Sequence, residues 1–196
     1  VDHWFTFNEP KVILDGGYLY QFHYPLKVDG PLAVQVAYNL NLASAKAIKA
    51  FRELYGQDKS KKIGTILNLT PAYPASDSPK DQAAAEFAEL WANKMFLEPA
   101  VLGHYPQKLV EILERDGVLW EQTPAELQLL KEQTVDVLGV NFYHPFRVKA
   151  PAVSPASLQP WMPDIYFDEY EMPGRVMNVD KGWEIYPKAL YDIAVN

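Results

Sequence analysis

Three short runs of apolar residues recur along the chain, and helical patterns lie between them. The runs are Trp4–Asn8, Ile63–Asn68 and Val135–Tyr143. The third run is almost continuously hydrophobic, which is typical of a strand buried on both faces of a parallel sheet. We therefore predict three β-strands.

The segments between these runs carry helix signals. An apolar stripe that follows Pro31 and stops at Gly56 predicts a long helix; its members are Leu32, Val36, Leu40, Ala43, Ala47, Phe51 and Leu54. Ser78 and Thr123 each precede a proline, and an acidic residue follows three positions after each of them. This pattern of an N-cap residue, a proline and an acidic residue predicts two capped helix starts. Strands that alternate with helices favour parallel βαβ units and an α/β fold.

The long connection Lys149–Lys181 is rich in proline and aromatic residues and shows no clear period. We predict an extended loop there, of the kind that is functional or disordered. The chain starts at Val1 within a strand-like run and reaches Asn196 within a helical pattern that begins at Pro187. From these features we expect an internal segment of a longer protein, with residues 1–196 forming one incomplete catalytic domain.

Composition narrows the function classes. The formal net charge of -7 disfavours nucleic-acid binding, which needs clustered basic residues. The chain has no cysteine and four histidines, and no histidine pair has the spacing of a helical metal site. No apolar run approaches the roughly 20 residues that span a bilayer. We expect no metal, no cofactor, no nucleic-acid partner and no membrane segment.

Polar residues follow each predicted strand: Asn8 and Glu9, Asn68 and Thr70, Asn141 and Tyr143. In parallel barrels the active site lies at the carboxyl ends of the strands. A single asparagine at a strand end is more often a turn residue, but three such ends in register weaken that interpretation.

Glu9 is the most informative of these residues. Strand alternation points Asn8 and Glu9 to opposite faces, so both can line one pocket only if the chain leaves regular strand geometry. Pro10 predicts an extended Glu9 where the strand ends. The spacing alone fits a solvated carboxylate before a helix equally well.

The segment Thr6–Pro10 resembles the acid/base motif of family 1 glycoside hydrolases. The similarity continues in Asn68–Pro74, Val135–Tyr143 and Gly182–Pro187, which resemble the fifth strand with its loop, the sixth strand, and the stretch before the strand that carries the nucleophile. Phe142 departs from the usual Asn-Tyr-Tyr ending of the sixth strand. The resemblance implies a partial (β/α)8 TIM barrel that covers about strands 4 to 6.

The same resemblance implies roles for individual residues. Glu9 matches the general acid/base, and Asn8 matches the partner of the sugar 2-hydroxyl. Tyr143 matches the tyrosine that bonds the nucleophile, and Asn141 matches an asparagine beside it; strand parity predicts that both face the mouth of the barrel. No Glu-Asn-Gly nucleophile motif follows Tyr143, so we expect the nucleophile outside this chain. Retaining glycosidases need two carboxyl groups about 5–5.5 Å apart.

Within the family, the segments Phe142–Val148, Tyr170–Arg175 and Gly182–Ile193 resemble bacterial 6-phospho-β-glucosidases. This implies a cytoplasmic enzyme that acts on β-linked phosphodisaccharides or aryl β-glucosides. A β-glucosidase or β-galactosidase for unphosphorylated substrates is the alternative. Trp161 and Trp183 are candidates for a platform that stacks on sugar, although packing explains a loop tryptophan as well.

A different class of hypothesis is that these 196 residues are a barrel segment without activity, which acts only in binding or interaction. An open arc of parallel strands leaves unpaired edges that attract other strands. We expect the chain by itself to be inactive and to self-associate through these edges.

Overall fold

A computed structural model of the protein describes residues 1–153 and 160–195. Its contacts divide the chain into two compact units, the first formed by residues 1–67 and 94–141 and the second by residues 68–93 and the described part of 142–196. The assignment of all residues to one domain stays a prediction.

The strands are β1 (His3–Asn8), β2 (Lys62–Asn68), β3 (Ala72–Pro74), β4 (Val137–Asn141), β5 (Phe146–Lys149), β6 (Asp168–Glu169), β7 (Met177–Asn178) and β8 (Trp183–Glu184). The α-helices are α1 (Pro10–Leu14), α2 (Gly30–Tyr55), α3 (Pro79–Glu89), α4 (Met95–Val101), α5 (Gln107–Arg115), α6 (Pro124–Glu132) and α7 (Lys188–Val195). Two π-helical turns, Asp15–Leu19 and Leu90–Lys94, and a 3₁₀ turn, Pro163–Tyr166, complete the described elements.

The first unit is built on a sheet with the strand order β1–β2–β4. β1 runs parallel to β2, with His3 opposite Lys62. Gly64 of β2 lets β4 approach closely, because a Cβ at this position would lie 1.8 Å from the carbonyl oxygen of Val137. All three predicted strands are confirmed, but β4 ends at Asn141, two residues before Tyr143.

Helix α2 shows where the predicted pattern was wrong. Asp29 caps its start and Gly56 its end, but Ala43 and Leu54 of the predicted stripe face solvent, and Leu54 is 75% exposed. The buried face instead includes the polar Asn41, whose amide donates hydrogen bonds of 2.9 Å to the Met95 carbonyl and to the Tyr105 hydroxyl. A satisfied buried amide interrupts the apolar pattern, and this displaced the prediction onto a neighbouring stripe. The buried apolar members are Ala33, Val34, Ala37, Tyr38, Leu42, Ala45, Ile48 and Phe51.

Both predicted helix caps are confirmed. The Ser78 side chain accepts a hydrogen bond from the Asp81 amide at the start of α3. Thr123 and Glu126 form a reciprocal capping box at the start of α6. Each cap satisfies amide groups that the first turn of a helix leaves without partners.

The second unit combines short strands with aromatic packing. β5 lies between β3, to which it is parallel, and β6, to which it is antiparallel; β7 and β8 form a separate antiparallel pair. Phe87 stacks on Tyr166 with ring centroids 4.1 Å apart, and Phe146 meets Phe167 edge to face at 5.3 Å. These rings supply core area that strands of two to four residues do not.

The prediction of a loop without regular structure over Lys149–Lys181 was wrong in part. The segment contains the 3₁₀ turn, β6 and β7, and residues 154–159 lie outside the described residues. Strands of two residues are too short to produce a period in the sequence, so pattern analysis could not find them.

Candidate functional site

Glu9 owes its position to an irregular end of β1. Phe5 lies opposite Gly64 while Asn8 lies opposite Ile66, so three steps along β1 match two along β2. Such a bulge turns the side chains that follow it. The Glu9 amide still donates a 2.8 Å hydrogen bond to the Ile66 carbonyl, which holds the residue at the strand end. The predicted departure from strand geometry is confirmed.

The conformation of Glu9 corrects the sequence prediction. Its backbone is left-handed, with φ 53° and ψ 57°, and not extended. A following proline favours the extended region for the residue before it, and Glu9 departs from that preference. A non-glycine residue in this region carries about 1–3 kcal/mol of strain, and such strain is concentrated at functional sites.

Asn141 joins the two neighbouring side chains at the end of β1. Its amide nitrogen Nδ2 lies 2.6 Å from Oε1 of Glu9 and 3.1 Å from Oδ1 of Asn8, and it donates to both. β1 and β4 flank β2, so their ends reach the same edge of the sheet. The structure thus brings together three residues predicted from sequence: Asn8, Glu9 and Asn141.

Tyr143, the fourth predicted site residue, belongs to the second unit and follows the end of β4. The shared strand parity predicted for Asn141 and Tyr143 therefore does not apply, because the strand stops at Asn141. Within its unit the ring of Tyr143 packs against Trp183 at 5.2 Å, and His144 packs against the same indole at 5.6 Å.

The two candidate tryptophans differ. Trp183 is 37% exposed, beside the 46% exposed Tyr143, and can meet a ligand. Trp161 is 4% exposed and packs edge to face against Trp91, so its proposed role as a sugar platform was wrong. A buried ring presents no free face for stacking.

A buried ion pair in the second unit was missed by sequence reasoning. Arg147 donates from Nε and Nη2 to the two carboxylate oxygens of Glu184, at 2.7 and 2.6 Å. Its guanidinium lies over the rings of Tyr73 and Tyr186, at 5.4 and 4.9 Å from their centroids. The hydrogen bonds to Glu184 raise the pKa of Arg147. The partners are 37 positions apart, and no local signal links them.

The same unit contains a cleft beside this pair. It is lined by His144, Pro145, Phe146, Arg147, Glu169, Tyr170, Glu171, Arg175, Met177, Gly182, Trp183 and Glu184. Aromatic faces combined with charged hydrogen-bonding groups suit a polar ligand that also has an apolar face.

Within residues 1–153 and 160–195, no group of three or more histidine, aspartate or glutamate residues could hold a metal ion. Nor is any helix of the described chain long and apolar enough to cross a membrane.

The chemistry open to the first unit is proton transfer. Glu9 is half-buried, its backbone is fixed at both ends of the residue, and one carboxylate oxygen accepts from Asn141. A carboxyl group held in this way can donate a proton to a leaving oxygen and later accept one from water.

Comparison with known proteins gives a consistent result. The model of glycosyl hydrolase family 1 matches residues 1–195. The chain is 51% identical over all 196 residues to the 6-phospho-beta-glucosidase GmuD of Bacillus subtilis, of which it covers 42%. It is 32% identical to beta-glucosidase A of Acetivibrio thermocellus, over 97% of the chain and 40% of that protein.

The structure is also similar to solved enzymes. The virulence factor SghA from Agrobacterium tumefaciens aligns with a TM-score of 0.84 at 28% identity, over 99% of this chain and 40% of that one. A structure of SghA with its substrate analog salicin aligns with a TM-score of 0.82. These matches confirm the predicted α/β class and partial (β/α)8 barrel. The chain spans about 40% of the length of the relatives it matches.

Proposed function

The chain belongs to glycosyl hydrolase family 1, and on that basis we propose that it supplies the acid/base part of a retaining β-glycosidase that hydrolyses 6-phospho-β-glucosides. The observation that carries the proposal is the position of Glu9, at the carboxyl end of β1 with its carboxylate on the Asn141 amide. Catalytic groups of parallel barrels lie at such strand ends.

In this proposal Glu9 protonates the glycosidic oxygen as the bond to the leaving group breaks. A carboxylate from outside residues 1–196 forms the glycosyl-enzyme, and Glu9 then removes a proton from the water that hydrolyses it. Asn8 binds the sugar 2-hydroxyl, Asn141 orients Glu9, and Tyr143 bonds the nucleophile.

Phosphorylated β-glucosides are the first candidate substrate class. The identity of 51% to a 6-phospho-beta-glucosidase supports phosphorylated β-glucosides. Such a substrate fits a cytoplasmic enzyme that receives sugars phosphorylated during uptake. Unphosphorylated aryl β-glucosides are the second candidate, favoured by the salicin complex of SghA and by the identity of 32% to a β-glucosidase.

A segment exchange tests the proposal. The matching 42% of GmuD is replaced by this chain, and hydrolysis of p-nitrophenyl β-glucoside and of its 6-phosphate is measured. We expect the chimera to cleave the 6-phosphate and the 196-residue chain alone to cleave neither compound. Cleavage of only the unphosphorylated compound would favour the second candidate.

Replacement of Glu9 identifies its role. Glu9→Gln in the chimera should lower kcat for a β-glucoside with a poor leaving group by ~10²–10⁴-fold, since this is the usual contribution of general acid/base catalysis. With dinitrophenyl substrates, formation of the glycosyl-enzyme should be slowed less, because their leaving group needs no proton. Added azide should restore turnover by attacking the glycosyl-enzyme without a base.

The matched control is Glu53→Gln, which changes an exposed glutamate of α2 in the same unit. The control should retain full activity. A Glu9→Gln chimera that keeps full kcat on the poor leaving group, or that azide does not rescue on the dinitrophenyl substrate, would exclude Glu9 as the acid/base.

A further inference from the structure

The exposed ring pair Tyr143 and Trp183 stands beside a buried ion pair whose role is not explained by the reaction. We propose that Arg147 and Glu184 are positioning residues that hold Trp183 against Tyr143, so that the two rings form a fixed surface for a glycoside. The claim about a ligand rests on the proposed function, whereas the claim about ring position does not.

The β7–β8 pair sets the directions of the Trp183 and Glu184 side chains. Glu184 lies opposite Met177 and Trp183 opposite Asn178, so the pairing covers two residues on each strand. Side chains alternate along a strand, which sends Glu184 into the interior and Trp183 to the surface. The exposed fractions agree, at 7% for Glu184 and 37% for Trp183. A restraint on Glu184 is therefore a restraint on the indole next to it.

Backbone pairing alone gives the β7–β8 hairpin little rigidity. Two-stranded pairs are marginal in water even when they are longer than this one. One additional backbone bond extends the pairing, from the Ile185 amide to the Val176 carbonyl at 2.8 Å. The bidentate contact to Arg147 is the buried charged contact of the pair, with side-chain exposures of 10% for Arg147 and 6% for Glu184.

Arg147 is itself held in place by its neighbours. It lies in β5, opposite Tyr73 of β3, and its carbonyl accepts from the Tyr170 amide at 2.9 Å. Its planar guanidinium packs against the rings of Tyr73 and Tyr186, which meet each other edge to face at 5.6 Å. The Tyr73 hydroxyl in turn bonds Asp192 of α7. A fork-shaped donor that is packed against two rings fixes the direction as well as the distance of its carboxylate partner.

Stability alone does not explain why a charged pair occupies this position. Hydrophobic side chains of similar volume often stabilise a buried site as well as an ion pair does, so stability alone does not require the charges. A bidentate pair specifies one geometry, which apolar packing does not. The surface that this geometry sets up consists of Trp183 with Tyr143 at 5.2 Å, His144 at 5.6 Å and the Lys181 ammonium at 5.8 Å.

Acrylamide quenching of Trp183 fluorescence in the 196-residue chain tests the proposal. The Trp183 signal is obtained by subtracting the spectrum of the matching Trp183→Phe protein, because the chain has five tryptophans. The double variant Arg147→Met/Glu184→Leu should raise the quenching constant of Trp183 roughly two-fold, since an indole that is 37% exposed would become free. Quenching of the other tryptophans should not change.

The matched control is Glu171→Gln, which removes the exposed pair with Arg175 in the same cleft; Glu171 is 87% exposed. Its Trp183 quenching should equal that of the parent chain. If the double variant loses its far-ultraviolet circular dichroism, Arg147→Lys replaces it, because lysine keeps the charge and loses the fork. An unchanged Trp183 quenching constant in a folded variant of either kind overturns the proposal.

A kinetic readout separates this proposal from the proposed function. In the GmuD chimera, loss of the pair should raise KM for p-nitrophenyl β-glucoside 6-phosphate by about 10-fold and leave kcat within about two-fold, because uniform binding is lost and the chemical groups are not touched. A fall in kcat at constant KM contradicts a positioning role. A chimera without any activity contradicts the proposed function, and the quenching result stands independently of it.

Discussion

The two units hold their functional side chains by different means. In the first unit, a bulge in β1, the left-handed backbone of Glu9 and a hydrogen bond from the Asn141 side chain direct the Glu9 carboxylate. In the second unit the strands are short, and a buried Arg147–Glu184 pair with aromatic neighbours fixes the exposed rings. The position of Glu9 therefore depends mainly on local geometry, whereas the positions of the exposed rings depend on a buried charged pair.

This comparison indicates how each unit should respond to mutation. A strand-end carboxylate depends on few side chains, so most substitutions near it should alter activity more than stability. A buried ion pair has the opposite character, because removal of one partner leaves an uncompensated charge in the interior. Mutations in each unit test this contrast.

The largest expected effect is on the stability of the second unit. Glu184→Leu should lower the free energy of unfolding by about 3–5 kcal/mol, since Arg147 would remain buried without its partner. The double variant Arg147→Met/Glu184→Leu should lie within ~1 kcal/mol of the parent, because no charge is then stranded. Urea unfolding followed by circular dichroism measures both.

The exposed pair Glu171 and Arg175 gives the reference for this prediction. Loss of a solvent-exposed ion pair costs ~1 kcal/mol or less, so Glu171→Gln should hardly change the unfolding midpoint. Equal destabilisation by Glu184→Leu and by Glu171→Gln would remove the distinction between the units.

More of the structure of the first unit than of the second could be predicted from sequence. Its strands are long enough to show hydrophobic runs, and the capping box of Thr123 and Glu126 predicts the start of α6 from local sequence. Asn8, Glu9 and Asn141 were predicted from a motif and from strand ends. The left-handed Glu9 was not, because a following proline favours an extended conformation and Glu9 departs from that preference where β1 bulges.

The second unit contains contacts and short strands that sequence patterns do not predict. Arg147 and Glu184 meet across 37 positions of sequence, and their pairing depends on tertiary packing that no local pattern encodes. β6, β7 and β8 have two residues each and leave no periodicity. Asn41 of the first unit illustrates the same limit, because an interior amide is indistinguishable from a surface one until its partners are known.

The next effect in size concerns the amide bridge at Glu9. Asn141→Ala removes a hydrogen bond to a carboxylate, worth about 1.5–3 kcal/mol, so kcat/KM of the GmuD chimera should fall by roughly 10–100-fold. Because β4 and its packing are retained, the unfolding midpoint should stay close to that of the parent. Asn39→Ala, an exposed asparagine bonded to Gln35 on α2, is the control and should keep both properties. A large loss of stability with normal kinetics would place Asn141 among structural residues.

The smallest expected effect is the pH dependence of stability that one surface carboxylate in each unit contributes through its lowered pKa. The Ala150 amide and the Ser76 hydroxyl lower the pKa of Asp81 in the second unit, and the Thr123 amide and hydroxyl lower the pKa of Glu126 in the first. A carboxyl group with a lowered pKa in the folded state stabilises the fold above its unfolded pKa, and this contribution is lost as pH falls through the folded value. Asp81→Asn and Glu126→Gln should therefore be less stable than the parent at pH 7, and the deficit should shrink below the ordinary pKa values of 3.8 and 4.5. Thermal unfolding between pH 7 and pH 3 measures this, with Asp77→Asn, an exposed neighbour of Asp81, as the control. A deficit that is the same at every pH would mean that packing, and not charge, makes these two side chains matter.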